Sequence, residues 1–316
     1  MTRTVKLIAI VLALVLAPAA ARAQGGERLT VLLDWFVNPD HVPLVIARER
    51  GYFADEGLEV ELVPPADPSA PPRLVAAGQA DIAITYQPNL YQQVAKDLPV
   101  VRIGTLVATP LNALVTLADG PVQSIQDLKG RVVGYSVGGF EDALLGTMLE
   151  HHGLTIEDVV LVNVNFALTP ALLSGQVSAV IGAFRNFELN QIALEGREGR
   201  AFYPEENGVP VYDELIFIAH RDDLGRPALR GFLRAIERAI LWQTNHPEDA
   251  LDLFLAAYPD LDNDLNRLAF DDTLARFALR PAALDTGRYA RFAEFMIETG
   301  LIRALPPLET YAVELR

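Results

Sequence analysis

Apolar and polar positions follow two different periods along this chain. Leu29 to Asp34 is a short apolar run of strand length. Val42 to Tyr52 has the spacing of a helix, ended by Gly51 and the turn after it. Leu58 to Val63 alternates acidic and apolar residues, which predicts a strand, and Pro64-Pro65 breaks it. Arg73 to Ala77 predicts a helix capped by Gly78, and Asp81 to Thr85 predicts the next strand. Strand–helix–strand units of this length predict a parallel sheet with helices on both faces.

The same order then recurs. Arg131 to Tyr135 reads as a strand, Glu141 to His152 as a helix stopped by Gly153, and Val159 to Val164 as a strand. A short helix over Pro170 to Ser174 and a strand over Ser178 to Gly182 complete it. GQADIAIT from Gly78 lies over GQVSAVIG from Gly175, and each follows an apolar helical stretch. A whole order repeated in this way predicts two similar lobes rather than one sheet. Arg102 to Leu117 and Leu215 to His220 have the apolar, β-branched character of hinge strands between lobes. From Pro227 onward the pattern is amphipathic helix, punctuated by Asn245-His246-Pro247 and Ala257-Tyr258-Pro259, and such helices pack back on the first lobe. The expected fold is therefore α/β with two lobes. Residues 24–110 and 215–316 form the first, discontinuous lobe, and residues 111–214 form the second.

The start of the chain changes the picture. Arg3 and Lys6 precede an unbroken run from Leu7 to Ala21 of apolar and small residues, and Ala21-Arg22-Ala23 supplies a cleavage pattern. That order predicts a secretory signal peptide over residues 1–23, too short in its apolar run for a membrane span. The remaining 293 residues suffice for two lobes of ordinary size. The chain has no Cys, which excludes a lipid-anchored lipoprotein, thiol chemistry, Cys-ligated zinc and iron–sulfur clusters. After cleavage 23 basic residues face 41 acidic ones, a balance that disfavours nucleic acid and anionic membranes as partners.

In open α/β sheets a ligand sits beyond the carboxyl ends of the strands. That rule selects four loops: Asp34 to His41, Tyr86 to Asn89, Tyr135 to Glu141 and Ala183 to Glu188. They are rich in aromatic, amide and carboxylate groups. LDWFVNPDHVPLVIARERGYFADEGLEVELV from Leu33 resembles the opening of a family that unites binding proteins for thiamine-pyrimidine precursors with the fungal thiamine-pyrimidine synthase. GYSVGGFEDALLG from Gly134 and IGAFRNFELNQ from Ile181 resemble its bacterial branch, formylaminopyrimidine-binding components of salvage transporters. The resemblance covers nearly all of the chain after residue 23. It implies a two-lobe periplasmic-binding-protein fold of type II, an aminopyrimidine ligand, and an ABC permease with its ATPase as partners of a monomer. It implies no cofactor and no catalytic residue. The synthase branch has a cysteine-rich motif and no export signal, and this chain departs from it on both counts.

An aminopyrimidine is a flat, weakly basic ring. It needs an aromatic face and a group that pairs with its amine edge. Trp35 is the expected face, with Tyr86 a second, each alternatively a core residue. Tyr135 and Phe140 flank Gly138-Gly139, whose backbone N–H groups can approach a ligand oxygen, although Tyr135 reads equally as a packed strand residue. Glu188 is the expected carboxylate, since it can accept two hydrogen bonds from a protonated ring nitrogen and its neighbouring amine. Its alternative is a helix-start charge. Asn186 can donate and accept at once, and Arg185 is as well explained by a salt bridge. Asp34 either orients the ligand amine or caps its loop. Asn112 is a contact in the hinge approach. His41 either caps a helix or contacts ligand, and it matches the histidine that the synthase consumes. No metal-ligand spacing, Ser–His–Asp arrangement, P-loop or dinucleotide motif is present. The same fold with riboflavin or an aliphatic sulfonate as ligand, and a synthase-like enzyme, are the competing readings. A carboxylate at Glu188 opposes a sulfonate.

Overall fold

A computed structural model describes residues 26–315. The predicted signal peptide, with Arg3, Lys6 and Ala21-Arg22-Ala23, lies outside them. Ten strands form two five-stranded sheets among the described residues. The first third of the chain supplies β1 (Glu27–Leu32), α1 (Val42–Glu49), α2 (Tyr52–Asp55), β2 (Leu58–Val63), α3 (Pro71–Ala76), β3 (Ile82–Thr85), α4 (Gln87–Ala95) and β4 (Val100–Val107). The middle supplies β5 (Asn112–Leu117), β6 (Val132–Tyr135), α5 (Glu141–His151), β7 (Val160–Asn163), α6 (Leu168–Leu173), β8 (Ala179–Phe184), α7 (Glu188–Leu194) and β9 (Gly199–Phe202). The last third supplies β10 (Leu215–His220), α8 (Pro227–Asn245), α9 (Pro247–Ala257), α10 (Asp264–Leu274) and α11 (Thr286–Glu298).

The two sheets share one plan. The orders are β2-β1-β3-β10-β4 and β7-β6-β8-β5-β9. In each, three parallel strands are followed by two that run antiparallel to their neighbours or to one another. The repeated octapeptides take matching places. Gly78 and Gly175 both have positive φ, 68° and 74°, and both lead into the central strand of their sheet. Only residues without a Cβ make that turn cheaply. The fold is thus the predicted two-lobe α/β arrangement.

Two helical boundaries differ from the sequence pattern. The helix expected over Val42 to Tyr52 stops at Glu49, and Tyr52 opens a separate turn. The segment Tyr86 to Asn89, expected as loop, is the start of α4. Pro88 sits in the first turn of that helix, where its missing N–H has no intrahelical partner to lose.

The chain passes between sheets at residues 108–111 and again at 203–214. The first crossing is held by a buried carboxyl: the N–H groups of Leu111 and Asn112 donate to Glu214 Oε2 at 2.5 and 2.9 Å. The C-terminal helices return to the first sheet. The apolar stripe of α8, which includes Phe232, Ile236 and Ile240, is buried against the first lobe. Phe232 stacks on Phe53 and meets Phe217 edge-on, with ring centres 5.5 and 5.1 Å apart. A ring so enclosed is worth roughly 3–5 kcal/mol against Ala. Arg102 on β4 is fully buried and fixes the far end of the chain. Its guanidinium donates to Thr105 Oγ1 and to the carbonyls of Pro281, Ala282, Ala283 and Val313.

Candidate functional site

The loops after β1, β3, β6 and β8 converge between the sheets, where the strand-end rule placed them. They enclose a cavity of about 20 Å³, roughly the room of one water. Four carboxyl groups line it: Asp34, Asp40, Glu141 and Glu188. Four aromatic side chains, Trp35, Tyr86, Phe184 and Phe187, share the wall with Asn38, Leu168 and Gly182. No Lys or Arg is among its lining residues.

Asp34, buried after β1, is held from both sides. The Asn38 N–H donates to His41 Nδ1 at 3.2 Å, which leaves Nε2 as the protonated nitrogen, and Nε2–H donates to Asp34 Oδ1 at 3.0 Å. The Tyr86 hydroxyl donates to Asp34 Oδ2 at 3.2 Å. Glu188 opens α7 and folds back on its own loop, where Oε2 accepts the Phe184 N–H at 2.6 Å. Glu141 opens α5 in the same way, and its Oε2 accepts the Ser136 N–H at 2.6 Å. Its carboxyl lies over Gly182 of β8, which has φ +97°. A Cβ there would overlap all three carboxyl atoms, so the glycine makes the notch that Glu141 fills.

Burial sets the charge of this cavity. It raises Glu141 to about 8, Glu188 to about 7 and Asp40 to about 6, in each case against opposing hydrogen bonds or charges. Burial and the neighbouring Asp34 hold the Tyr86 hydroxyl well above its ordinary range, so it remains a donor. The cavity therefore offers several protonated or proton-sharing carboxyls beside flat apolar walls. That suits a planar ring rich in amine and imine groups, and it offers an anion no cation.

Of the expected ligand residues, Asp34, Trp35, Tyr86 and Glu188 line the cavity together. The others stand behind it. His41 is wholly buried with both ring nitrogens engaged, and it orients Asp34. Phe140 stacks against Tyr86, ring centres 4.8 Å apart, as a backing for that ring. Asn112 Oδ1 accepts the Gly182 N–H at 3.2 Å and steadies β8. Tyr135 is half-buried at the end of β6 and its ring lies beside Gly138. The Gly139 carbonyl accepts from the Gln92 side chain, on an outer groove between the lobes. Asn186 joins the lobes: its Nδ2 donates to Asp40 Oδ1 at 2.7 Å and to Thr273 Oγ1 of α10 at 2.6 Å. Arg185 forms its salt bridge within the second lobe, to Glu205 at 2.6 Å, under the Tyr203 ring.

Glu141, Asp40, Phe184 and Phe187 were not singled out from the sequence, although the four loops contain them. Glu141 and Asp40 each sit in the first turn of a helix, where a carboxylate has an ordinary reason to be. The one available signal was Gly182, a glycine inside an otherwise apolar strand pattern, which points to a close approach by another group.

Among the described residues no group of three or more His, Asp or Glu side chains is placed to hold a metal, and no helix is long and apolar enough to cross a membrane. A protein of Haemophilus influenzae whose name refers to thiamine biosynthesis is 51% identical over 290 residues, which cover 92% of each chain. The formylaminopyrimidine-binding protein of Halalkalibacterium halodurans is 36% identical over 80% of this chain and 79% of its own. The alkanesulfonate-binding protein of Xanthomonas axonopodis pv. citri, solved with bound MOPS, superposes with a TM-score of 0.67 over 92% of this chain and 96% of that one, at 16% identity. That last likeness is one of fold. Residues 38–250 match the family described as NMT1/THI5 like. The chain belongs to the NMT1/THI5-like family and carries it on the two-lobe fold of the periplasmic binding proteins.

Proposed function

We propose that this chain is the solute-binding component of an ABC importer, exported to the periplasm, and that it captures a thiamine-related aminopyrimidine such as formylaminopyrimidine. The observation that carries this reading is the inter-lobe cavity walled by four carboxyls and four aromatic rings, with no Lys or Arg. A pyrimidine stacks on Trp35 and presents its ring nitrogen and amine to Glu188. At neutral pH Glu188, raised to about 7, supplies the proton that lets the pair form two charge-assisted hydrogen bonds. Asp34, fixed by His41 and Tyr86, is an acceptor for a further amine hydrogen, and Glu141 over Gly182 keeps its proton at neutral pH and is a donor to a ligand acceptor. The cavity of about 20 Å³ is too small for any such ligand, so binding requires the lobes to part about the crossings at 108–111 and 203–214. We assign the lobes to residues 24–110 with 215–316 and to residues 111–214.

The same wall argues against the neighbouring readings. A sulfonate or a phosphate would meet carboxyls with no cation to offset them. A synthase that consumes its histidine would need His41 accessible, and His41 is enclosed with both nitrogens bonded. Calorimetry against formylaminopyrimidine, hydroxymethylpyrimidine, its phosphate, thiamine, riboflavin and taurine tests the reading. Tightest binding is expected for an unphosphorylated aminopyrimidine. Binding of taurine or the phosphate ester above the free pyrimidines would overturn it.

A further inference from the structure

The aromatic cluster at the cleft does not end at the cavity. Trp35 lines the cavity from the first lobe, yet its ring packs against the apolar cluster of the second, which includes Leu168 and Val164. Phe166, in the loop between β7 and α6 of the second lobe, meets the Trp35 ring edge-on at 4.6 Å. It also lies on Phe36 of the first lobe at 4.3 Å. Phe36 is 52% exposed, and neither it nor Phe166 lines the cavity. The three rings therefore run outward from the cavity wall to solvent, with Phe166 supplied by the opposite lobe.

The loop that presents Phe166 is strained and tied. Asn165 has φ +53°, a left-handed conformation that costs a non-glycine residue. Its N–H donates to Asn163 Oδ1 at 2.8 Å, and its carbonyl accepts from the Ser136 hydroxyl. Ser136 is buried, and its own N–H is the donor to Glu141 of the cavity. One residue thus joins the carboxyl at the floor of the site to the loop at its mouth.

We infer that Phe166 is the gate of the cleft: it clamps Trp35 across the lobes and sets the rate at which ligand escapes, with Ser136 as the positioning residue that holds the gate loop to the site. The inference rests on the binding reading above and adds the residue that controls release. The Trp35–Phe166 contact exists only with the lobes together, and ligand enters when they are apart, so the contact holds the closed, loaded form and its loss raises the off-rate far more than the on-rate.

The test uses the full chain with Trp242→Phe, which leaves Trp35 as the one tryptophan. Stopped-flow fluorescence with formylaminopyrimidine measures both rates for Phe166→Ala, Phe166→Leu and Ser136→Ala. Ser136→Ala keeps the N–H bond to Glu141 and removes only the tie to Asn165. Loss of two aromatic contacts is expected to raise the off-rate about 10-fold in Phe166→Ala, less in Phe166→Leu, with the on-rate within about 2-fold. Ser136→Ala should fall between wild type and Phe166→Ala. Acrylamide quenching of Trp35, with and without ligand, provides an arm that does not depend on which ligand is right, and greater quenching in Phe166→Ala is expected. An unchanged off-rate in Phe166→Ala overturns the gate, as does unchanged quenching in both states. If the parent protein fails to bind any pyrimidine, the ligand reading fails while the quenching arm still decides the clamp: quenching that rises in Phe166→Ala keeps the Trp35–Phe166 contact across the lobes, and unchanged quenching overturns it.

Discussion

The carboxyl of Glu141 occupies the space beside Gly182 in which any other side chain would begin. Gly182→Ala therefore faces two penalties. A left-handed φ costs a residue with a Cβ roughly 1–3 kcal/mol, and the carboxyl must move. Thermal denaturation should show a loss of about 2 kcal/mol or more, and calorimetry a weakened pyrimidine. Adding Glu141→Ala removes the overlap and should restore part of the stability but none of the affinity. A single mutant that melts with wild type would remove the notch from the description.

Glu188→Gln keeps the shape and the acceptor for the Phe184 N–H. It replaces an oxygen that faces the ligand with a donor. Leaving one side of a buried charged pair unmatched costs about 2–5 kcal/mol, on the order of 30-fold or more in Kd. Taurine affinity should not fall. Titration of both ligands into both proteins separates a ligand carboxyl from a helix-start charge, which would leave pyrimidine affinity equal.

The raised carboxyls set the direction of the pH dependence. In the folded, ligand-free protein Glu141 and Glu188 hold protons to about 8 and 7, and Asp40 to about 6. The unfolded chain releases them near its ordinary values of 4.5 and 3.8. Between those limits the folded state binds more protons, so stability falls as pH rises. The melting temperature should decline from about pH 5 to about pH 8, and Glu141→Gln should flatten the decline. A melting temperature that climbs over that range would contradict the burial of these groups.

Asn186 bonds to Asp40 and Thr273 across the cleft without lining the cavity. Asn186→Ala should weaken ligand by about 1–3 kcal/mol, the worth of a hydrogen bond to an ionisable partner, through the closed form alone. Small-angle scattering at saturating ligand should show a larger radius of gyration than wild type. Equal profiles and equal affinity would make the bridge dispensable.

The sequence was most informative where period and punctuation agree. The octapeptides at Gly78 and Gly175 marked matching central strands because a cap and a buried strand are local features. The start of α4 was missed because Gln87-Pro88-Asn89 is turn-like in composition and the helix is set by its packing beside β4. Within the site, Asp34, Trp35, Tyr86 and Glu188 could be named because each lies in a segment that follows a strand, and for Trp35 and Glu188 because the resemblance favoured ligand contact there. His41, Phe140 and Asn186 share those loops but turn to a neighbour instead, as does Asn112 at the start of β5. For Phe140, Asn112 and Asn186 the side chain's direction depends on partners more than 50 residues away in sequence, and spacing carries no trace of those.

The placement of β10 orders the events of synthesis. The second sheet is drawn from residues 112–202 without interruption, so it is complete in the growing chain before residue 215 exists. The first sheet is not. Its β3 and β4 meet only through β10, and the carbonyls that surround Arg102 arrive still later, at residues 281–283 and 313. A chain emerging N-terminus first therefore finishes its middle before its beginning. A nascent or truncated chain that ends short of Pro281 carries an assembled second lobe beside a first lobe whose buried guanidinium lacks its four carbonyl acceptors. The cavity between the lobes, whose lining comes from both, waits on completion of the first.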